Sequence, residues 1–340
     1  MSKKRVYIAY TGGTIGMKRS EQGYVPAPGL LMDLVNRMPE LSEPEIPDFD
    51  IHEYTPLLDS SNISPRDWVA VAGDICDHYG GYDGFVILHG TDTMAYTSSA
   101  LAFILRGLSK PVILTGSQIP LCELRTDARD NLITSLIIAA QSGIPEVCLY
   151  FGHQLMRGCR AVKVNADGFD AFASPNYPPL GEAGVDLVIS HDHVRPQPRS
   201  SVLRVSPLST TFVGALRLFP GISAEVVRNH LQPPLQGLVL ETYGAGNGPD
   251  DDPAFLQAIA EATARGVVIV NCTQCVRGTV HPGAYATGSA LARAGVIGGY
   301  DMTVEAALAK LYYLFGSGLD PDTVRTQMQS DLCGELSVSA

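Results

Sequence analysis

Short apolar runs rich in β-branched residues recur along this chain, and they constrain its fold more than any other feature. They cover residues 5–10, 84–88, 111–115, 146–151, 237–241 and 266–270. The runs are continuously apolar and do not alternate with polar residues, which is typical of parallel strands buried on both faces of a sheet. A chain of 340 residues with 45% hydrophobic content can also bury a core large enough for two domains.

Helical patterns separate the predicted strands. The best marked begins after Ser64, a capping residue, with Pro65 at the first helical position and Asp67 at the third. Further patterns cover residues 128–140, 254–265 and 304–315. Strand and helix therefore alternate from end to end, and we expect an α/β fold with a doubly wound, largely parallel sheet.

The stretch SHDHVRPQPRSS, residues 190–201, is rich in proline and histidine and poor in apolar residues. Such a segment is typical of a linker. We therefore expect a larger N-terminal catalytic α/β domain over residues 1–189, a linker over 190–211 and a smaller C-terminal α/β domain over 212–340.

Charge and cysteine usage exclude some classes of protein. The net charge is −11, so nonspecific electrostatic binding to nucleic acid or to an anionic membrane is not expected, and small-molecule partners are favoured. The seven cysteines are odd in number and scattered, unlike a disulfide framework. The apolar run at residues 6–10 is too short for a signal peptide, and no apolar run reaches 18 residues. We expect a cytoplasmic protein.

Small and hydroxyl-bearing residues follow most of the predicted strands. The loops read TGGT, HGTDT, TGSQ, TYGAGN and NCTQC. Ligands bind beyond the carboxyl ends of the strands in open parallel sheets. The sequence therefore predicts a site lined by threonine, serine, aspartate and glycine backbone.

The first of these loops, residues 11–16, invites two interpretations. Its GGxxG spacing departs from the GxGxxG dinucleotide pattern, Asp33 lies in a helical pattern and not at a strand end, and no GK[ST] follows. The alternative is that Gly12 and Gly13 turn the chain tightly and present the Thr14 hydroxyl. A threonine hydroxyl needs a base to become a nucleophile.

The second loop, HGTDT, places Thr91 and Asp92 between a strand and a helix, where backbone N–H groups can stabilise an oxyanion. Either residue could instead be a helix cap. No histidine is a convincing base: His89 reads as a core residue, while His191 and His193 lie in the linker. A lysine made available as a base by burial remains.

Four motifs, TGGTIG, HGTDTM, TGSQIP and KVNADGFDAFASPN, together resemble the L-asparaginase family, in particular its cytoplasmic bacterial type I branch. The resemblance covers essentially the whole chain and implies the two-domain asparaginase/glutaminase-like fold. It implies hydrolysis of L-asparagine to L-aspartate and ammonia through an acyl-enzyme on Thr14, with Thr91, Asp92 and Lys163 completing the catalytic set. It implies no metal and no cofactor, and a homodimer or homotetramer.

The resemblance assigns further positions. Tyr24 matches the tyrosine of a mobile N-terminal loop, and Asp59, Ser60 and Ser61 match the turn that holds the substrate together with Thr91 and Asp92. Asn247 resembles a position near the substrate end of the second domain. From the residues alone, an exposed loop around Tyr24 and a structural turn at 59–61 fit equally well.

Related type I enzymes carry a regulatory asparagine site formed by an arginine and by the threonine and cysteine of TQC. Thr273 and Cys275 are present here, but Glu241 occupies the arginine position. A glutamate repels the carboxylate that an arginine would bind, so we expect activation by asparagine to be lost or altered. Cys272 and Cys275 also spell CxxC, which without a second motif is weak evidence for a redox or zinc site.

Three other functions share these motifs. A glutaminase-asparaginase of broader specificity would differ by one methylene in the substrate, a difference worth about 1–3 kcal/mol. The amidase subunit of a tRNA-dependent amidotransferase would need an added N-terminal module and a partner protein. A catalytically silent amino-acid sensor would keep the fold and bind without turnover, against which the joint retention of the catalytic set argues.

Overall fold

The computed structural model describes residues 3–21, 23–198, 202–280 and 286–337. The chain divides into two compact units, Met1–Val205 and Ser206–Ala340. This division falls inside the stretch predicted as a linker, of which residues 199–201 lie outside the described ranges. Each unit is an α/β body with its own hydrophobic core, as the alternating pattern predicted.

The first unit is built around one large sheet. Its strands are β1 (Arg5–Gly12), β2 (Met17–Ser20), β3 (Gly23–Pro26), β4 (Asp48–Leu58), β5 (Gly84–Leu88), β6 (Leu105–Arg106), β7 (Val112–Thr115), β8 (Val147–Phe151), β9 (Gln154–Arg157), β10 (Val162–Lys163), β11 (Phe172–Ala173), β12 (Gly181–Ala183), β13 (Leu187–Ile189) and β14 (Arg204–Val205). Its helices are α1 (Leu30–Val35), α2 (Pro65–His78), α3 (Met94–Ile104) and α4 (Ala128–Gln141).

Eight strands form the large sheet, in the order β13-β12-β9-β8-β7-β5-β1-β4. The pairs from β4 to β8 are parallel, and β9, β12 and β13 add antiparallel neighbours at one side. The expectation of a largely parallel sheet is confirmed. The interior strands β5 and β7 are buried along their whole length because helices cover both faces of the sheet.

Alternate residues of β1 face opposite sides of the sheet. Val6, Ile8 and Tyr10 enter one cluster together with Leu132 and Leu136 of α4. Each such side chain contributes about 1.5–3 kcal/mol when fully buried. The predicted helix start at Ser64 is also confirmed, since its side chain and that of the residue three positions on form a capping box. The core therefore fixes where the strands end, and with them the loops that follow.

The second unit is a smaller α/β body. Its strands are β15 (Val213–Arg217), β16 (Gly237–Thr242), β17 (Val268–Thr273) and β18 (Ile297–Gly298). Its helices are α5 (Ala224–His230), α6 (Pro253–Ala264), α7 (Ala286–Arg293), α8 (Val304–Gly316) and α9 (Pro321–Met328). The four strands pair in chain order and all run parallel.

A buried ion pair anchors the last described segment of the second unit. Lys310 Nζ lies 2.5 Å from Glu335 Oε1, and neither side chain is exposed. The lysine also donates to the carbonyl oxygens of Met328 and Ser330. Burial alone would raise the pKa of Glu335, but the charge and hydrogen bond of Lys310 lower it to about 2. The pair therefore stays ionised inside the core.

No helix in the described part of the chain has both the length and the apolar character that a membrane crossing requires.

Candidate active site

The loops that follow β1, β4, β5 and β7 lie at one edge of the large sheet. These four strands are parallel neighbours, so their carboxyl ends meet there. The register pairs Tyr10 with Leu88 and Leu88 with Thr115, which brings the TGGT, HGTDT and TGSQ loops side by side. The sequence prediction that hydroxyl-bearing loops gather at this edge is confirmed for the first unit.

Glycines allow two of these loops to touch. Gly13 has φ +91°, and a Cβ atom there would lie 2.5 Å from the Cα and N atoms of Gly90. A Cβ atom on Gly90 would in turn lie 2.4 Å from Ser60 Oγ. Only glycine permits both contacts, because contacts of that length are far inside van der Waals distance. The turns that carry Thr14, Ser60 and the residue after Gly90 are therefore packed against one another.

Thr14 opens a short 3-10 helix, Thr14–Gly16, directly after the glycine turn. Thr14 is half-buried. Among the described residues, its hydroxyl forms no hydrogen bond. The short helix packs against the side chain of Tyr10, since a Cβ atom on Gly16 would lie 1.9 Å from the Tyr10 hydroxyl oxygen. The Thr14 hydroxyl is thus placed at the sheet edge and is available to another molecule.

Lys163 bonds to both residues of the Thr-Asp pair. Its Nζ atom donates to Thr91 Oγ1 at 2.9 Å and to Asp92 Oδ1 at 2.7 Å. The lysine side chain is 20% exposed and the aspartate side chain 65% exposed, so the ion pair faces the open side of the site. The structure therefore brings together Thr91, Asp92 and Lys163, which are separated by about seventy residues in the sequence.

Two short antiparallel strands position Lys163. In β10 and β11 it pairs with Phe172, a buried residue. Asn165 then closes a turn by accepting hydrogen bonds from the backbone N–H groups of Asp167 and Gly168. Lys163 thus lies at the base of a turn whose tip is exposed.

Gln118, in the TGSQ loop, is a site residue that the sequence reasoning missed. Its Oε1 atom accepts a hydrogen bond from Thr91 Oγ1 at 3.2 Å. Its Nε2 atom donates to the carbonyl oxygens of Ala166 and Gly168 at 3.0 and 3.1 Å. The sequence indicates only that the TGSQ loop follows a predicted strand. It does not single out Gln118 within that loop.

His89 is a core residue, as predicted. It is 1% exposed, its Nδ1–H donates to the Gly90 carbonyl, and its Nε2 accepts from the Thr97 hydroxyl. A carbonyl oxygen can only accept, so the proton lies on Nδ1. Burial lowers the pKa of His89 to about 4, against a smaller opposing effect of the Gly90 carbonyl. A neutral His89 therefore supports the turn that carries Thr91.

Tyr24 lies on a hairpin formed by β2 and β3, with Gly23 at φ +101° before it. Its side chain is well exposed, and its hydroxyl donates to Glu123 Oε1 at 3.3 Å. Desolvation and the charge of Glu123 raise the pKa of Tyr24. In this conformation the hydroxyl of Tyr24 bonds to Glu123 and not to Thr14.

The turn that follows β4 has the geometry of a cap. Asp59 Oδ1 accepts from the backbone N–H of Ser61 at 3.0 Å, and Ser60 is buried. The Ser60 carbonyl accepts from the hydroxyl of Thr93, the residue that caps α3. The turn is therefore tied to the HGTDT loop, which explains how residues 59–61 come to border the site.

In the second unit, Glu241 and Thr273 end adjacent strands. Glu241 lies 3.4 Å from Arg217 Nη1 on the neighbouring strand, so its charge is paired. The Thr273 hydroxyl donates to the Gly244 carbonyl at 2.6 Å and accepts from the backbone N–H of Cys275 at 3.1 Å. The three residues predicted for a regulatory site thus lie at one end of this sheet, where Glu241 is paired with Arg217 of the neighbouring strand.

The CxxC pair is not arranged as a dithiol. Cys272 is buried in the core cluster of α8, whereas Cys275 is exposed. Burial, together with the charges of Glu241 and Glu305, raises the pKa of the Cys272 thiol to about 12.

Asn247 closes a turn with Tyr243 through backbone hydrogen bonds in both directions.

The chain is similar to known proteins over nearly its whole length. A family model for the asparaginase N-terminal domain matches residues 5–195, and one for the glutaminase/asparaginase C-terminal domain matches residues 212–328. L-asparaginase 1 of Escherichia coli strain K12 is 56% identical over 337 residues, 99% of each chain. The crystal structure of L-asparaginase I from Vibrio cholerae superposes with a TM-score of 0.92 at 50% identity, over 99% of this chain and 100% of that one. A 60 kDa lysophospholipase of Mus musculus is 46% identical over 99% of this chain and 63% of its own length.

Proposed function

Since this chain belongs to the asparaginase family and is an asparagine hydrolase, we propose that it acts through an acyl-enzyme on Thr14, with Lys163 as the proton shuttle. The single observation that carries the proposal is the pair of hydrogen bonds from Lys163 Nζ to Thr91 and Asp92. An amine held by a hydroxyl and a carboxylate, at the same sheet edge as the turn that carries Thr14, suits a nucleophile-and-base arrangement.

In the first half-reaction the Thr14 oxygen attacks the side-chain amide carbon of asparagine. Lys163 takes part as the neutral amine: its lone pair accepts the Thr14 hydroxyl proton, and the ammonium so formed passes a proton to the leaving nitrogen, so that ammonia departs as the C–N bond breaks. Backbone N–H groups of the turn before α3 stabilise the tetrahedral oxyanion. The product is an aspartyl ester of Thr14.

In the second half-reaction a water molecule attacks the ester carbonyl. Thr91 accepts a hydrogen bond from this water, and Lys163 takes the proton that returns to Thr14 Oγ when aspartate leaves. Asp92 holds the lysine in place and faces the substrate ammonium group. The reaction consumes one water and releases one aspartate and one ammonia, with every proton accounted for by these groups.

Substrate binding is assigned to the turn at residues 59–61. Asp59 Oδ1 is already bound to a backbone N–H, and the exposed Ser61 is suited to the substrate α-carboxylate. Tyr24 is assigned to the cover of the site: closure of the β2–β3 hairpin would exclude water and replace the bond to Glu123.

The test is ammonia release from asparagine and glutamine by the purified protein and two variants. Thr14→Ala should lower kcat about 10⁴-fold or more, because removing the nucleophile disables a set of groups that act as one unit. Lys163→Met should lose a comparable amount while keeping its unfolding midpoint.

A Lys163→Met enzyme with a kcat within tenfold of the wild type would overturn the role of Lys163 as the proton shuttle. Binding of asparagine by the wild-type protein without turnover would point to an amino-acid sensor. A lysophospholipid, offered as substrate in parallel, separates ester from amide hydrolysis.

We further propose that activation by asparagine is lost or altered. Glu241 is paired with Arg217, and the hydroxyl of Thr273 is engaged with the Gly244 carbonyl. Initial rates against asparagine concentration should therefore follow a hyperbola. Sigmoidal curves that a Thr273→Val substitution abolishes would refute this.

A cytoplasmic location and a homo-oligomeric state are also proposals. All seven cysteines are free thiols, which suits a reducing compartment. Sedimentation of the purified protein distinguishes a monomer from the homodimer or homotetramer that the family relationship favours.

A further inference from the structure

We propose that Gln118 is a positioning residue for the reaction: it fixes the direction of the Thr91 hydroxyl proton and the place of the turn that follows Lys163. The inference rests on the proposed roles of Thr91 and Lys163. It concerns a side chain that touches the reacting groups only through these neighbours.

The amide nitrogen of Gln118 has a defined orientation. Nε2 donates to the carbonyl oxygens of Ala166 and Gly168, at 3.0 and 3.1 Å. Main-chain carbonyls accept and cannot donate, so these two contacts distinguish the nitrogen end of the amide from its oxygen end. The oxygen end is therefore the one turned toward Thr91.

The amide oxygen then determines what the Thr91 hydroxyl can do. Thr91 has one proton and two lone pairs. Gln118 Oε1 takes the proton at 3.2 Å, and Lys163 Nζ donates to one lone pair at 2.9 Å. One lone pair is left, so Thr91 meets any further group as an acceptor. A water molecule is the donor that the deacylation step supplies.

The Gln118 side chain also fixes the position of the turn that follows Lys163, which we call the lysine turn. Residues 166 and 168 belong to the turn that is closed by Asn165, which lies two residues after Lys163. In the described part of this turn, the hydrogen bonds to Gln118 tie it directly to the sheet edge. Losing them removes these ties between the turn and the sheet edge.

The backbone of Gln118 is held independently of its side chain. Its N–H and that of Ile119 donate to the Asp127 carboxylate at the start of α4, over 2.9 to 3.1 Å. Asn131 donates to the same carboxylate and to the Gly116 carbonyl. A substitution of the Gln118 side chain therefore leaves the loop anchored, which makes a mutational test interpretable.

The first experiment compares Gln118→Met with the wild type. Methionine keeps the length and removes all three hydrogen bonds, so kcat for asparagine should fall about 10- to 100-fold while KM changes by less than about threefold. Gln197→Met is the matched control, since Gln197 Nε2 donates to one carbonyl, that of Gly143, elsewhere in the first unit. It should keep wild-type kcat and KM, and both variants should keep the unfolding midpoint.

The second experiment uses Gln118→Glu across pH 5 to 8. An ionised carboxylate accepts from Thr91 but repels the carbonyls of the lysine turn, whereas a protonated carboxyl keeps the acceptor and restores one of the two donors that the amide provides. The ratio of variant to wild-type kcat should therefore rise as the pH falls. For Gln118→Met the ratio should stay flat.

Three outcomes overturn the proposal. Gln118→Met could keep kcat within twofold of the wild type while Lys163→Met is inactive, and then the site stands without a positioning glutamine. Gln118→Met could raise KM and lower the unfolding midpoint with kcat intact, and then the glutamine is structural. An active Lys163→Met would overturn the site assignment and this inference with it.

Discussion

The contact between Gly13 and Gly90 gives the sharpest test of how the site is assembled. Replacing Gly13 by alanine places a Cβ atom 2.5 Å from the Cα and N atoms of Gly90. Ordinary contacts begin at 3.4 Å, so the two backbones must separate by about 0.9 Å, the difference between these distances. The backbone at φ +91° and ψ 177°, a region occupied almost only by glycine, adds strain of about 1–3 kcal/mol for any residue with a Cβ atom.

The displacement falls on the two turns that carry Thr14 and Thr91. A misplacement of about 1 Å in an active site can lower the rate by about 10²-fold. We therefore expect Gly13→Ala to lower kcat for asparagine by roughly two orders of magnitude. Ammonia release measures the rate, and urea unfolding measures the stability.

Gly221→Ala is the matched control. Gly221 has φ +90°, and no atom lies within 4 Å of the position its Cβ would take. Its positive φ adds backbone strain without the collision, so it should lose about 1–3 kcal/mol of unfolding free energy and keep its rate. Gly13→Ala with a rate within threefold of the wild type would refute the argument that close packing of these turns positions the nucleophile.

Two further predictions concern buried titratable groups. His89 has a pKa of about 4 in the folded protein and about 6.5 unfolded, so the unfolded chain binds more protons between these values, and the unfolding free energy should fall by up to about 3 kcal/mol as the pH drops from 6.5 to 4. Urea unfolding at several pH values checks this, and a His89→Gln variant with the same pH dependence would contradict it. Lys310→Met should lower the unfolding free energy by about 3–5 kcal/mol, because it leaves the Glu335 carboxylate buried and unpaired. A loss below 1 kcal/mol in urea would contradict that.

The elements that carry a strong periodic pattern could be predicted from the sequence. All six apolar runs form strands, namely β1, β5, β7, β8, β16 and β17, and the four helical patterns form α2, α4, α6 and α8. Strand β4 was missed. Its residues, DFDIHEYTPLL, alternate between exposed and half-buried positions because it lies at the edge of the sheet, with one neighbour only.

The site was predictable only in part. Thr14, Thr91 and Asp92 follow buried strands, so the rule for parallel sheets places them at one edge. Lys163 belongs to a strand of two residues that has no pattern of its own, and only the family resemblance singled it out. Gln118 was missed because its role depends on contacts with residues 27 and about 50 positions away, which no local spacing reveals.

The central claim is that Thr14 carries the acyl group, although Lys163 bonds to Thr91 in the structure. Peptide mass spectrometry of protein quenched in acid during turnover of asparagine tests it most directly. An acyl-enzyme on Thr14 should add the mass of one aspartyl group to the peptide that contains Thr14, and the Thr14→Ala variant should show no such increment. The same increment on the peptide that contains Thr91 would contradict it.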